Sequence, residues 1–131
     1  MRAVLIILFF ILNLYATKVI VKEKIPQDLK ERFVTYWSYR GEGNFEEIYA
    51  MELPYLQYLH SKKWYISYFF YAPRFYKVTL YRKEKCQSNI CEVWLALYKD
   101  KVSEPIYLKD KWIKIGNKWY HKYRDSALPT F

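Results

Sequence analysis

The sequence predicts an α+β domain, with helices in its N-terminal half and an antiparallel sheet after them, on three observations. Before Pro73, apolar residues recur at helical spacing between Pro and Gly boundaries. After Pro73, aromatic and β-branched residues alternate with charged ones along segments that turn residues divide. Hydrophobic residues make up 53% of the 131 residues, enough to bury one core. We therefore expect a single α+β domain over residues 22–131.

The first helix is predicted to begin near Pro26, whose fixed backbone suits the first helical turn. Asp28 follows it, where negative charge complements the helix dipole. Gly41 and Gly43 end the helix. Its core face is predicted from apolar residues at helical spacing, namely Leu29, Phe33, Tyr36 and Trp37.

A second helix is predicted after Asn44, because Asn44 and Glu47 have the spacing of a capping box. One side of this helix is predicted to carry Phe45, Ile48, Tyr49 and Glu52. Pro54 stops the helix and can start another. Residues 55–71 fit a third helix by their apolar spacing, although much of this run is equally strand-like in composition.

Cys86 and Cys91 fit one β-hairpin with a two-residue turn at 88–89. That register pairs the two cysteines, with Cα atoms about 4.5 Å apart, and it pairs Leu80 with Leu97. One face then gathers Tyr76, Val78, Leu80, Val93, Leu95 and Leu97. We expect a structural disulfide, since two thiols are only half a zinc site and the histidines are remote in sequence.

A second hairpin is predicted from Ile106–Ile115 and residues 118–124, around a Gly116-Asn117 turn. Its register pairs Trp112 with His121. One face is predicted to carry Trp112, Trp119, His121 and Tyr123, and the other Ile113, Ile115 and Tyr120. Because neither face is cleanly polar, one should pack on the helices. The other either lines a cavity or interface, or is simply half exposed.

The N-terminus is typical of a secretory signal peptide. Arg2 precedes an unbroken apolar run over residues 3–12, and Ala16 offers a small residue for cleavage. An uncleaved membrane anchor extending to about residue 21 is the alternative, although Lys18 interrupts the apolar stretch before the roughly 20 residues that a spanning helix needs. We expect an exported protein, periplasmic or extracellular, that is membrane-anchored if the signal is not cleaved.

The formal net charge is +9, which favours anionic partners but also fits ordinary solvated strand faces. There is no phosphate-binding Gly-rich loop, zinc signature or nucleophile motif. The sequence therefore predicts no cofactor, no metal and no catalytic residue. Nucleic acid is not expected as a partner of an exported chain. The partners left open are a small apolar ligand, a protein, a second copy bound through the sheet, and the inner membrane through residues 3–21.

Three features together resemble a known superfamily. They are the helical run GEGNFEEIY with a following Leu53-Pro54, the antiparallel strands, and the closing run DKWIKIGNKWYH. Over residues 26–125 the chain looks like exported members of the nuclear transport factor two-like, or SnoaL-like, superfamily. The resemblance implies a cone-shaped, cystatin-like fold with a curved antiparallel sheet and an apolar pocket. That superfamily includes isomerases, dehydratases, carriers and non-catalytic modules, so the fold does not assign a function.

Aromatic residues and one histidine are the candidates for a pocket or interface: Tyr36, Trp37, Tyr55, Tyr58, Trp64, Trp94, Trp112, Trp119 and His121. Core packing is the alternative role for most of them. We expect a non-enzymatic binding or interaction module. A small acid–base enzyme of isomerase or hydrolase type, using His121 or a pocket tyrosine, and a membrane-anchored assembly component are the alternatives. No buried acid–base pair is recognisable in the sequence.

Overall fold

The computed structural model describes residues 16–123 and has the α+β architecture that the sequence predicts. In chain order its elements are β1 (Lys18–Val21), α1 (Gln27–Glu42), 3₁₀ turns at Phe45–Glu47 and Tyr49–Met51, α2 (Pro54–Leu59), α3 (Lys62–Tyr68), β2 (Lys77–Cys86), β3 (Ile90–Tyr98), β4 (Ile106–Ile115) and β5 (Lys118–Lys122). The predicted signal sequence, save Ala16, and the C-terminal tail from residue 124 lie outside the described residues.

The five strands form one curled sheet in the order β1-β2-β3-β4-β5. The expectation of a wholly antiparallel sheet is wrong at its first strand, because β1 runs parallel to β2 and the helices make the crossover between them. The other neighbours are antiparallel. Lys18–Val21, which an anchor reaching residue 21 would include, is the edge strand of this sheet.

Helix α1 buries the face that the sequence predicts, including Phe33 and Trp37. It ends at Gly43, whose φ of 82° is the left-handed conformation common at helix C-termini. Gly41 has a different role, since a Cβ there would lie 2.4 Å from Thr17 Oγ1 and 2.9 Å from the Phe75 carbonyl oxygen. The helix therefore touches the start of β1 with no room for a side chain.

The predicted second helix is wrong in type. Residues 45–51 form two 3₁₀ turns, and the Asn44 side chain makes no capping hydrogen bond. Glu52, predicted on the same side of that helix as Phe45, Ile48 and Tyr49, is fully buried. The third helical segment is confirmed but broken into α2 and α3, with the Ser61 hydroxyl capping α3 by accepting from the Trp64 N–H at 3.1 Å.

The first hairpin contains the predicted disulfide, with Cys86 bonded to Cys91 and their Cα atoms 4.0 Å apart. The predicted register holds beside the turn. Two irregularities in β2 then shift it, so that Leu80 faces Leu95 rather than Leu97. Because the shift is an even number of residues, the apolar side chains keep their face. Tyr76 is the exception and is largely exposed.

The second hairpin has the predicted register, with Trp112 opposite His121 and Ile115 opposite Lys118. Gly116 occupies the turn with a φ of 62°. The face that carries Trp112, Trp119 and His121 is buried against α1 and the 3₁₀ turns. This face, rather than the opposite one, is therefore the side that meets the core.

Candidate functional site

The core contains an ionic cluster centred on His121. The imidazole Nδ1–H donates to Glu52 Oε1 at 2.7 Å, and the Nε2–H donates to Asp110 Oδ1 at 2.7 Å. All three side chains are buried. A parallel bridge between Glu52 and His121 positions the pair, and the Leu53 N–H donates to the His121 carbonyl at 3.0 Å. The backbone thus fixes Glu52 against β5.

Each carboxylate also accepts hydrogen bonds from aromatic side chains. Glu52 Oε2 accepts from the Tyr36 hydroxyl at 2.7 Å and from the Tyr65 hydroxyl at 2.5 Å. Asp110 Oδ2 accepts from the indole N–H groups of Trp37 at 3.0 Å and Trp112 at 2.9 Å. The network therefore joins α1, α3, β4 and β5 at one point.

The hydrogen bonds bear on the protonation states of the cluster. An indole N–H can only donate, so Asp110 Oδ2, which accepts from two of them, carries no proton. Arg40 Nη1 donates to the Tyr36 oxygen at 2.8 Å, so the Tyr36 proton points to Glu52. We assign both carboxylates as ionised and His121 as an imidazolium that donates from both ring nitrogens.

The local charges agree with this assignment. Burial alone would lower the pKa of His121, but the charges of Glu52 and Asp110 outweigh it and raise the pKa to about 9. Burial opposes ionisation of Asp110, yet His121 and the two indoles hold the pKa of Asp110 below its ordinary value. Burial raises the pKa of Tyr36 well above its ordinary value.

The charges of the cluster cancel, since His121 and Arg40 balance Glu52 and Asp110. Both ring nitrogens of His121 are bonded, and none of the three central side chains reaches solvent. A general base needs a free lone pair within reach of a substrate proton, and His121 has none. The described residues contain no group of His, Cys, Asp and Glu arranged to hold a metal ion. The cluster is therefore a structural centre of the core.

A separate apolar cavity of about 350 Å³ lies between α2 and the β4–β5 hairpin. Its lining residues are Leu53, Tyr55, Leu56, Leu59, His60, Ile113, Lys122 and Tyr123. Within this lining Leu56 is buried, whereas Lys122 is exposed. A mostly apolar cavity of this size with few polar groups is typical of a small-molecule site.

The nine predicted pocket or interface residues separate into three groups. Five are buried in the core, namely Tyr36, Trp37, Trp112, Trp119 and His121. Tyr55 lines the apolar cavity, while Trp64 stacks on His60 at 3.6 Å between ring centroids. Tyr58 is exposed on α2. Trp94 lies outside the core, where the Arg82 guanidinium is 5.5 Å from its ring and its indole donates to Glu84.

Sequence reasoning missed the acidic half of the cluster. Asp110 could have been predicted near His121, because it lies two residues before Trp112 on the same strand and therefore on the face that meets His121. Glu52 could not, since its position depends on a long-range bridge to β5. The structure thus contains a buried acid–base pair that was not recognisable in the sequence, and this pair is closed to solvent.

No protein-family model matches the chain, and no curated protein matches it. Solved structures of similar fold were found. A SEC-C motif containing protein from Psychrobacter arcticus is similar with a TM-score of 0.61 and 16% identity, over 84% of this chain and 66% of that one. A SEC-C motif containing protein from Rhodopseudomonas palustris is similar with a TM-score of 0.52 and 10% identity, over 70% of this chain and 72% of that one.

These similarities show the fold alone. They correct the resemblance to the nuclear transport factor two-like, or SnoaL-like, superfamily, since the structural neighbours are of a different fold family. The motif that suggested the resemblance consists of core and turn residues. Trp112, Trp119 and His121 are buried, and Gly116 makes the hairpin turn. Such residues recur wherever a hairpin packs on helices, so they do not identify a family.

Proposed function

We propose that the protein is a non-enzymatic binding module that takes an apolar ligand with an anionic head group into the cavity between α2 and the β4–β5 hairpin. One observation carries the proposal. The cavity is lined mainly by apolar and aromatic side chains, and its lining includes the exposed Lys122. Apolar walls favour a hydrocarbon chain, and the ammonium group favours a negative head.

The arrangement of the core supports binding rather than catalysis. The buried acid–base groups at His121 are fully hydrogen-bonded to one another and do not line this cavity. His60 does line it, but its ring is stacked on Trp64. The buried acid–base groups at His121 are thus not available to a ligand in this cavity, which favours binding over catalysis by that cluster.

We further propose that the module works outside the cytoplasm. The Cys86–Cys91 disulfide supports this, because such bonds persist in oxidising compartments. The basic start and apolar run of the N-terminus support it as well. Among residues 16–123, no helix has the length and apolar character needed to cross a membrane.

Titration of the full chain with dodecanoate and with dodecyltrimethylammonium, both below micelle formation, tests the cavity. We expect dodecanoate to bind more tightly and to shift the methyl NMR signals of Ile113. Leu59→Glu should weaken dodecanoate binding about tenfold or more, because a carboxylate would enter an apolar site. Lys122→Glu should reverse the preference between the two amphiphiles.

Ile106→Glu is the matched control, since Ile106 is 43% exposed and Leu59 is 42% exposed, and Ile106 lies outside the cavity lining. This variant should bind as the wild type does. The proposal is wrong if neither amphiphile shifts the Ile113 methyl signals. Equal effects of Leu59→Glu and Ile106→Glu would also contradict it.

A further inference from the structure

The segment from α2 to the start of β2 has an unusual composition. Residues 53–76 contain ten aromatic side chains and no carboxylate. The charged residues of this segment are the cations Lys62, Lys63 and Arg74. In a chain with 13 acidic residues, 24 consecutive positions without one form a distinctly basic and aromatic surface.

Much of this aromatic content faces solvent. Tyr58 is 86% exposed, Phe70 is 71% exposed and Tyr71 is 91% exposed. The rings of Phe70 and Tyr71 contact each other with centroids 4.9 Å apart. An exposed pair of large rings in contact adds to a contiguous apolar patch, and such patches mark interaction surfaces when they are large.

A ladder of stacked rings joins the two helices. His60 at the end of α2 stacks on Trp64 at 3.6 Å, and Trp64 stacks on Tyr68 at 4.9 Å. Tyr68 meets Phe69 at 5.0 Å. In the chain, Tyr58 lies two residues before His60 and the Phe70–Tyr71 pair directly follows Phe69, with the exposed Lys62 and Lys63 between them.

We propose that this helical aromatic surface, made of Tyr58, Lys62, Lys63, Phe70 and Tyr71, docks on the surface of an anionic lipid bilayer. Tyrosine and tryptophan rings prefer the level of lipid head groups, where one end is apolar and the other wet. Lysines beside them are attracted to anionic lipid. The net charge of +9 adds a favourable long-range field.

The Glu46 carboxylate lies close to a lysine of this surface and could reduce its positive charge. Lys62 Nζ lies 3.7 Å from Glu46 Oε1, but both side chains are at least half exposed, so the pair is weak and readily exchanged for lipid phosphate. Lys63 and Arg74 are also exposed. The positive charge of the surface therefore remains available.

This surface is distinct from the proposed ligand cavity, because none of its five residues lines that cavity. The two proposals can consequently fail separately. Variants of Leu59 and Lys122 test the cavity, and variants of Phe70 and Tyr71 test the bilayer surface.

Vesicle co-sedimentation of the full chain provides the first test. We expect binding to vesicles of phosphatidylglycerol and phosphatidylcholine to exceed binding to phosphatidylcholine alone, and to weaken with salt. The double variant Phe70→Ser/Tyr71→Ser should reduce partitioning about tenfold. The matched control is Ile106→Ser/Tyr107→Ser, which removes two exposed apolar side chains from β4 and should leave partitioning unchanged.

Lysine acylation followed by mass spectrometry gives a second readout that does not depend on how tightly the N-terminal segment holds the membrane. Vesicles should protect Lys62 and Lys63 but not the exposed Lys101. Equal labelling of all three with and without vesicles would overturn the proposal. It would also be overturned if the Phe70/Tyr71 variant changed sedimentation of the free protein, the mark of a second copy on this surface, without changing vesicle binding.

Discussion

His121 is the residue on which the stability of the core depends most directly. Two ionised carboxylates hold it as an imidazolium, and two tyrosines and two indoles satisfy their remaining oxygens. A buried charge network is stabilising only when each member keeps its partners. Loss of the His121 charge would leave two carboxylates in the core with no positive charge between them.

Stability should therefore fall at alkaline pH. The pKa of His121 is about 9 in the folded state, against about 6.5 in an unfolded chain. A raised pKa stabilises the fold fully below the unfolded value, and the stabilisation is lost as the pH rises through about 9. The loss is on the order of 3 kcal/mol. Urea unfolding from pH 6 to pH 10 measures it.

The chain's second histidine supplies the control. His60→Gln should retain the alkaline loss, whereas His121→Gln should cost about 3–5 kcal/mol and remove that loss. If His121→Gln does not fold, the ¹⁵N signals of the wild-type imidazole decide the question. A His121 ring that becomes neutral near pH 6.5 would contradict the assigned network.

At the residue scale, only part of this cluster could be predicted from the sequence. Trp112 and His121 could be paired from the hairpin register because a two-residue turn fixes every opposite position. Glu52 could not be predicted as a partner of His121, because their contact depends on a long-range bridge to β5. Local periodicity carries no information about contacts made across 69 positions of sequence.

At the scale of elements, the turn residues predicted the local structure better than the capping-box pattern did. Both hairpins have their predicted turns, and α1 ends at Gly43, one of the two predicted glycines. The capping-box pattern at Asn44 failed, because the chain there tightens into 3₁₀ turns that bring Glu52 into the core. The predicted pairing of β2 with β3 is shifted at two irregularities in β2, and no sequence pattern indicated them.

The hairpin disulfide should stabilise the protein without being required for folding. Cys86 and Cys91 are only five positions apart, so the bond closes a short loop. The chain-entropy model gives about 2 kcal/mol for a loop of this size. The Cys86→Ser/Cys91→Ser variant should unfold at a lower temperature and keep the far-UV circular dichroism spectrum of the wild type.

A reductant provides the matched control for that variant. It should lower the unfolding temperature of the wild type to that of the variant and leave the variant unchanged. Titration of two free thiols in protein recovered from an oxidising compartment would contradict the disulfide.

Considered as a whole molecule, the sheet has a covered edge at β5 and paired charges on its outer face. The outer edge of β5 is covered by the bridge to Glu52 and by Arg32, whose Nε donates to the Trp119 carbonyl at 3.0 Å. On the outer face, Lys109 lies 3.1 Å from Glu92. A covered edge and paired surface charges disfavour strand-to-strand association at β5. The helical aromatic surface is therefore a better candidate for an interface than the β5 edge of the sheet.

The proposed export makes a prediction about the mature chain. Cleavage after Ala16 would leave Thr17 as the first residue, and the Thr17 hydroxyl donates to the Phe75 carbonyl at 2.7 Å beside β1. A cut there preserves the edge strand, whereas a cut after residue 21 would remove it. We therefore expect the intact mass of protein recovered from a bacterial envelope fraction to match residues 17–131 less the two hydrogens of the disulfide.

Ala16→Trp is the control, because a bulky residue at the cleavage position should block processing and retain the full-length mass. A wild-type protein recovered at full length would contradict cleavage and support the membrane-anchored alternative. In that case the N-terminal segment would hold the domain at the bilayer, and the helical aromatic surface would act at a membrane that the chain already occupies. Soluble protein of processed mass would instead require that surface to find the membrane by its own charge and aromatic side chains.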